Sequence, residues 1–481
     1  MTEIELKLEI LPADLDTLLG SGILGDPVEV VEQHSTYFDA TDHRLHNAGF
    51  TLRIRRSGEA RVQSVKATGP GASLFARSEW ETPVIGDEPV LDHSSPLLNE
   101  FGPVAAELLP QFEISIQRRV WNLTENGSRI EAVVDTGLVT AGDRHTPILE
   151  MELELKDGNA IDLFVLARRI EVVVPCKFGV LSKAERGYRL LQALRTVVKA
   201  EPIELERGIA VSEALQAIAG SCFRQFRMNE AILLDRKNVE ALHQARVALR
   251  RLRSAISLFK PLFRDETGKR LSGEFRWLAG VLGEARNLDV LLPNADELRE
   301  RLGEARTSAY GDVIDALGSF RARALMIDFN EWLRCGEYLV PEATPEYPQP
   351  SAMEFACEAL EKLRRKLKKH GRELAGIDDD QRHEARKDSK KLRYAVEFFG
   401  SFFTDKRFSR RYKRFIAAME TLQGTLGALN DLVTGPDVLD KHGLRDHPEA
   451  ARLISHADKP ALIRKAQAAL DDVLDAKRFW R

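Results

Sequence analysis

The sequence predicts an α+β protein. An N-terminal antiparallel barrel or meander of about eight strands precedes a C-terminal all-α region built as a duplicated four-helix bundle. Three observations carry this expectation. The first 200 residues break into short runs that alternate polar and apolar side chains, separated by turn residues. From about residue 183 that alternation gives way to helical periodicity rich in Leu, Ala, Arg and Lys. Within the helical part, one basic motif occurs twice.

Residues 3–10 (Glu-Ile-Glu-Leu-Lys-Leu-Glu-Ile) open the chain as a strand with one charged and one apolar face. A short helix is predicted from Pro12 towards Gly20, beginning on a proline as helices often do. Strands follow at 33–39, 50–56, 61–67, 77–84, 112–121, 129–136 and 147–156. Gly58, Gly69-Pro70-Gly71, Asn126-Gly127 and Gly142-Asp143 supply turns between them. The domains expected are 1–200, a linker at 201–209 marked by Pro202, and 210–481 as two repeats of about 210–340 and 351–481. Pro341 through Pro350, with four prolines, joins the repeats as a stiff connector.

A chain of 481 residues with 43% hydrophobic and 30% charged residues suits a globular protein of two or three domains. The net charge of −4 is unevenly spread: residues 1–200 hold 21 Lys+Arg against 30 Asp+Glu, and the remainder 49 against 44. The acidic and basic parts are thus expected to have different partners. Four scattered cysteines without a CxxC pair speak against a zinc site or a disulfide framework and fit a reducing compartment. No uncharged stretch approaches the ~18 apolar residues of a membrane helix. The N-terminus enters a charged strand at once, so neither a signal peptide nor a membrane span is expected.

Nearly every strand carries charge of both signs on one face. Glu3, Glu5 and Lys7 share a face, as do Arg53 and Arg55, and Glu79 and Glu81 flank Trp80. Ser115, Gln117 and Arg119 oppose Ile114, Ile116 and Val120. Glu131 and Asp135 share a face, and Glu150, Glu152 and Glu154 alternate with Met151, Leu153 and Leu155. Two arrangements fit: an ordinary apolar core with charges in solvent, or an inside-out barrel with a charged lumen. A dry lumen of this kind would cost several kcal/mol per unpaired ion, so a charged lumen must be wet and hold cations and an anion. Carboxylate oxygens select Mg²⁺, Mn²⁺ or Ca²⁺ over zinc, while Lys and Arg aimed at the same space suit a phosphate-rich ligand.

Glu3-x-Glu5-x-Lys7 resembles the ExExK signature of the CYTH domain, or triphosphate tunnel metalloenzymes. The likeness extends through Tyr37-Phe38-Asp39, Leu52-Arg53-Ile54-Arg55, Gln63-Ser64-Val65-Lys66, Glu79-Trp80-Glu81, Glu131 with Asp135-x-Gly137, Glu150-x-Glu152-x-Glu154, and Ser182 through Tyr188. Ala40 departs from the threonine common in the family after Tyr-Phe-Asp. The resemblance implies an eight-stranded tunnel that hydrolyses a triphosphate with one or two divalent ions, Mg²⁺ or Mn²⁺. It implies substrate contacts from Lys7, Arg53, Arg55, Lys66, Arg119 and Lys183, and metal ligation by Glu3, Glu5, Asp135, Glu150, Glu152 and Glu154. Glu3, Glu5, Lys7 and Glu152 are the expected catalytic set.

In the helical half, His243-Gln-Ala-Arg246-x3-Arg250-Arg251-Leu252-Arg253 matches His383-Glu-Ala-Arg386-x3-Lys390-Lys391-Leu392-Arg393. Leu282-Gly283 with Arg286-Asn287 pairs with Leu426-Gly427 and Asn430-Asp431. On a helix, His243, Arg246, Arg250 and Arg253 fall within an arc of roughly 80°, and so do His383, Arg386, Lys390 and Arg393. Such a face repels itself unless an anion or an acidic neighbour lies against it. These repeats resemble the CHAD domain, often fused behind CYTH, which implies long-chain polyphosphate binding by those eight residues. The two histidines could be metal ligands, but nothing nearby in sequence completes a site.

The expected function is therefore a cytoplasmic, metal-dependent inorganic triphosphatase, associated with polyphosphate granules through its helical domain. Its products from tripolyphosphate would be phosphate and pyrophosphate. An adenylate cyclase or thiamine-triphosphatase of the same family, or a non-catalytic polyphosphate scaffold, are the alternatives. Nucleic acid is disfavoured because the basic faces lack interleaved aromatics for stacking.

Overall fold

A computed structural model describes the chain except for residues 1–3, 68–77, 194, 264–265, 340–350 and 455–457. Glu3, the Gly69-Pro70-Gly71 turn and the Pro341–Pro350 connector therefore lie outside the described residues. The chain forms two compact units: Met1–Thr196 with Phe320–Cys335, and Val197–Ser319 with Gly336–Arg481.

The strands are β1 (Glu5–Ile10), β2 (Glu29–Asp39), β3 (Phe50–Ser57), β4 (Ala60–Ala67), β5 (Ser78–Pro83), β6 (Leu109–Glu125), β7 (Ser128–Ala141), β8 (Arg144–Asp157) and β9 (Cys176–Phe178). The helices of the first half are α1 (Leu15–Gly20), α2 (Arg44–Asn47), α3 (Leu97–Phe101), α4 (Ile161–Val173) and α5 (Lys183–Leu191). Next come α6 (Val211–Asp235), α7 (Val239–Leu258), α8 (Thr267–Leu291), α9 (Arg299–Gly318) and α10 (Phe320–Cys335). The last are α11 (Ala352–His370), α12 (Asp379–Phe399), α13 (Lys406–Lys441), α14 (Pro448–Ile454) and α15 (Lys459–Asp475). None among the described residues is long and apolar enough to cross a membrane.

In the first unit, one antiparallel sheet has the order β5-β4-β3-β2-β6-β7-β8-β1-β9. The eight expected strands are all present, with β9 added at the edge beside β1. Two-residue hairpins set the register. Asn126 and Gly127 both have positive φ, as a type I′ turn demands, and join β6 to β7 so that Arg118 lies opposite Asp135. Gly142, also at positive φ, opens the β7–β8 turn and puts Asp135 opposite Glu150. The apolar faces are buried: Leu6, Leu8 and Ile10 on β1, Leu153 on β8, and Leu163, Phe164 and Ile170 on the covering helix α4.

Helix α10 packs within this unit although the sequence pattern assigned its residues to the first helical repeat. Arg168 of α4 pairs with Asp328 at 2.8 Å and with Glu331, and Arg323 pairs with Glu171 at 2.5 Å. Helical amphipathicity tells that a face is buried, not which neighbour buries it.

In the second unit, α6–α9 and α11, α12, α13 and α15 form two sets of packed neighbours that meet where α7 packs on α12. The duplication read from the sequence is thus a duplication of helix sets. Leu242, Leu249, Leu252, Phe259, Leu392 and Phe399 lie in its core.

Candidate active site and basic helical cluster

Eight strands of the first unit contribute to a cavity of about 420 Å³, within the ~300–1,000 Å³ usual for small-molecule sites. Its lining includes Glu5 and Lys7 (β1), Tyr37 (β2), Arg53 and Arg55 (β3), Lys66 (β4), Arg118 (β6), Glu131 (β7), and Glu152, Glu154 and Lys156 (β8). The pore is therefore ionic, and the inside-out arrangement is the one adopted.

Register stacks the charges in rows. Glu5 and Glu131 both lie opposite Glu154, Lys7 and Val133 lie opposite Glu152, and Glu9 and Asp135 lie opposite Glu150. Across two neighbouring rows, carboxylate oxygens of Asp135, Glu150 and Glu152 come within 4.8 Å of one another. Lys183 reaches all three, at 2.8 Å from Asp135, 3.2 Å from Glu152 and in contact with Glu150. Arg118 grips Asp135 with two bonds of 2.8 and 2.6 Å. Lys7 pairs with Glu152 at 2.9 Å, and Lys156 bridges Glu154 at 2.7 Å and Glu131 at 3.2 Å. On the β3–β5 side, Lys66 and Arg53 share Glu79 at 2.8 and 3.7 Å, and Arg55 pairs with Glu81 at 3.1 Å.

This packing keeps the groups ionised. Burial favours the protonated form of Glu152, but Lys183, Lys7 and Arg118 outweigh it and hold its carboxyl well below the ordinary value. Burial works against the charged forms of Lys7 and Lys183 too; nearby carboxylates, led by Glu152 and Glu150 respectively, raise both above the usual lysine value. At neutral pH the cavity holds full charges of both signs.

Local chemistry explains motif residues that support the cavity. Asp39 is fully buried; it accepts from the backbone of Ala40, Leu45 and His46 at 2.8–3.0 Å and from Tyr188 Oη at 2.9 Å, anchoring α2. Ser182 and Glu185 form a reciprocal capping box, which fixes Lys183 in the first turn of α5. Gly137 and Gly187 are close approaches: a Cβ there would lie 2.0 Å from the Ser115 carbonyl oxygen and 2.1 Å from the Phe112 ring.

In the second unit, the packing of α7 on α12 gathers Arg246, Arg250, Arg386 and Lys390, with His243 and Arg286 beside them. Burial, then Arg250, Arg386 and Arg246, pulls the Lys390 pKa down to about 7. Burial, then Arg250 and Arg286, takes Arg246 to about 10. Arg250 and Arg386 each bury an Nε atom with no hydrogen-bond partner. The Arg246 guanidinium lies beside Gly283, 3.4 Å from where a Cβ would stand, an ordinary van der Waals distance. Asn430 Oδ1 contacts His383 Nδ1 and accepts from Arg386, each at 3.0 Å.

Residues 1–188 match the CYTH domain family and residues 217–440 the CHAD domain family. The chain carries a CYTH domain and a CHAD domain. The inorganic triphosphatase of Haemophilus influenzae is 32% identical over 195 residues, covering 40% of this chain and 55% of the relative. This chain thus spans about half the length of that curated relative. Among solved structures, the CHAD domain of Ricinus communis is 28% identical, covers 57% of this chain and 96% of its own, and has a TM-score of 0.48. A Hippeastrum protein with a dominant triphosphatase activity is 20% identical, covers 40% of this chain and 97% of its own, and has a TM-score of 0.33.

In the CYTH domain the structure brings Glu5, Lys7, Arg53, Arg55, Lys66, Glu152, Glu154 and Lys183 onto the cavity, with Asp135 and Glu150 joining Glu152 in the acidic cluster. Arg119 corrects the sequence reading: it lies opposite Val134, on the other face from the cavity, and Arg118 lines the cavity instead. On β6 the face toward the cavity carries Ile114, Ile116 and Arg118, so the polar parity of Ser115 and Gln117 points outward. Lys156 and Arg186 were not singled out; Arg186 pairs with Glu9 at 2.7 Å and Glu150 at 3.5 Å. Among the described residues of the CHAD domain, His243 and His383 belong to no group able to hold a metal. Arg393 leaves the basic cluster for Glu397 at 2.8 Å and Gln423 at 3.1 Å, and Arg253 sits beside Arg276.

Proposed function

We propose that this chain is a divalent-metal-dependent inorganic triphosphatase whose CHAD domain binds long-chain polyphosphate. The observation that carries the reading is the carboxylate cluster of Asp135, Glu150 and Glu152, whose Glu152 lines a cavity shared with Lys7, Arg53, Arg55, Lys66, Arg118 and Lys183. The name of the Haemophilus influenzae relative supports the same activity. An oxygen-only cluster of Asp135, Glu150 and Glu152 fits Mg²⁺ or Mn²⁺, with Glu5 and Glu154 available further along the cavity. A bound divalent ion would neutralise phosphate charge and lower the pKa of a coordinated water.

The residues present divide the remaining work. Arg53, Arg55, Lys66 and Arg118 bind phosphate oxygens and fix the chain of the substrate along the pore. Lys183 and Lys7 leave part of their carboxylate contacts to meet the incoming anion. Their charged state persists because both lysines are held above the usual value. Water attacks a terminal phosphorus in line with the bridging oxygen, that P–O bond breaks, and phosphate and pyrophosphate leave. Glu152 stays ionised throughout and acts as a fixed negative charge, not as a proton donor.

Arg246, Arg250, Arg386 and Lys390 suit a polyanion, which would relieve the mutual repulsion of these cations. A cytoplasmic location at polyphosphate granules accords with that binding. The test is phosphate release with and without Mg²⁺ from tripolyphosphate, ATP and thiamine triphosphate. Tripolyphosphate should be turned over fastest and only with metal; preference for either other substrate reassigns the activity.

A further inference from the structure

β1 carries Glu5 and Lys7 into the cavity, and its main chain is held differently on its two edges. Leu155 N donates to Ile4 O at 2.9 Å, so the antiparallel alternation turns the Glu5 and Lys7 carbonyls toward the opposite edge. There, Gly179 N donates to Lys7 O at 2.9 Å. The β9 ladder ends beside Leu8, and two residues before Lys7 a side chain takes over: Arg334 Nη1 donates to Glu5 O at 2.7 Å.

Arg334 lies in the last turn of α10, with its guanidinium 6.0 Å from the centre of the Phe164 ring. α10 is itself tied to α4 by the Arg168 and Arg323 ion pairs. The Arg334 guanidinium thus supplies the donor for the next outward-facing carbonyl of β1 after the one Gly179 holds, on the strand that carries Glu5 and Lys7 into the cavity. That placement points to a role for the carbonyl's position.

We propose that Arg334 is a positioning residue for the tunnel: it extends the β1 ladder beyond β9 and thereby holds Glu5 in metal-binding geometry. The inference rests on the triphosphatase reading for the role of Glu5. It makes α10, whose sequence lies inside the CHAD match, part of the machinery of the CYTH domain.

The full chain is tested as Arg334→Met and Arg334→Gln, neither of which can donate from a guanidinium to that carbonyl, and as Arg334→Lys, which restores a donor. Mn²⁺ binding is followed by EPR without substrate, alongside kcat, KM and thermal melting. Either of the first two variants should weaken Mn²⁺ binding by about 10-fold and lower kcat with KM nearly unchanged, and lysine should recover part of both. A folded variant that melts earlier yet binds Mn²⁺ as the wild type does assigns Arg334 a purely structural role and overturns the proposal. If the wild type binds Mn²⁺ but releases no phosphate from tripolyphosphate, the triphosphatase reading fails while the EPR comparison still decides the role of Arg334. Wild-type protein that binds no Mn²⁺ overturns both.

Discussion

Arg118 and Arg119 are adjacent and chemically identical, yet only one faces the cavity. Arg118 is bound to Asp135 by two hydrogen bonds and lies 3.5 Å from Glu152, while Arg119 lies on the opposite face. Arg118→Gln should therefore lower kcat/KM for tripolyphosphate by about 100-fold, the cost of one buried charge-assisted contact, and Arg119→Gln by no more than about threefold. Initial-rate kinetics on the two proteins distinguish the faces. The sequence held the information for this choice in its turns. A two-residue hairpin at Asn126-Gly127 pairs Glu125 with Ser128 and, counting back, Arg118 with Asp135. Charge alternation alone misleads there, because Ser115 and Gln117 lie on the outer face and Ile114 and Ile116 on the inner one.

Lys390 makes the corresponding argument in the CHAD domain, with a sign that can be worked out. Its pKa falls from 10.5 unfolded to about 7 folded, through burial and then Arg250, Arg386 and Arg246. Between those values the unfolded chain holds a proton that the folded chain has lost, so stability rises with pH across that window. Below about pH 7 the penalty for the charged lysine is fully present. Lys390→Met should raise the melting temperature at pH 6.5 by a few degrees, for roughly 1–3 kcal/mol after allowance for solvent screening. The same variant should bind polyphosphate more weakly. In the wild type that binding should tighten as pH falls through 7, since the anion favours the protonated amine. Calorimetric melting and binding titrations across pH 6–9 check both signs.

Among the elements, α5 shows how a helical motif serves a β site. Its capping box sets Lys183 beside the three carboxylates, and Gly187 one turn later lets the helix lie against Phe112. In an exposed helix, Gly→Ala gains about 1 kcal/mol. Here the added methyl would sit 2.1 Å from the Phe112 ring, so overpacking at about 1–3 kcal/mol decides the sign. Gly187→Ala should lower the melting temperature, and denaturant unfolding measures it. The long hairpin strands were legible because alternation ran through many residues. β9 was not, since three residues carry no period and its pairing depends on where β1 happens to lie. The acidic cluster was legible residue by residue, but its convergence needed register: Asp135 and Glu150 are brought side by side by the Gly142 turn.

At the scale of the molecule, two family domains are not two uninterrupted lengths of chain. Phe320–Cys335 belongs by packing to the unit that holds the tunnel, and its periodicity could not announce that partner. The two halves differ in their electrostatics: in the pore, carboxylates and cations pair with one another around a cavity of about 420 Å³, whereas in the CHAD domain cations from two helix repeats crowd together. The central claim is that the pore's carboxylates support catalysis. Phosphate release from tripolyphosphate with Mg²⁺, compared between the wild type, Glu5→Gln and Glu152→Gln, tests it most directly. The account predicts turnover in the wild type and its loss in both variants with melting behaviour intact; wild-type rates in both would contradict it.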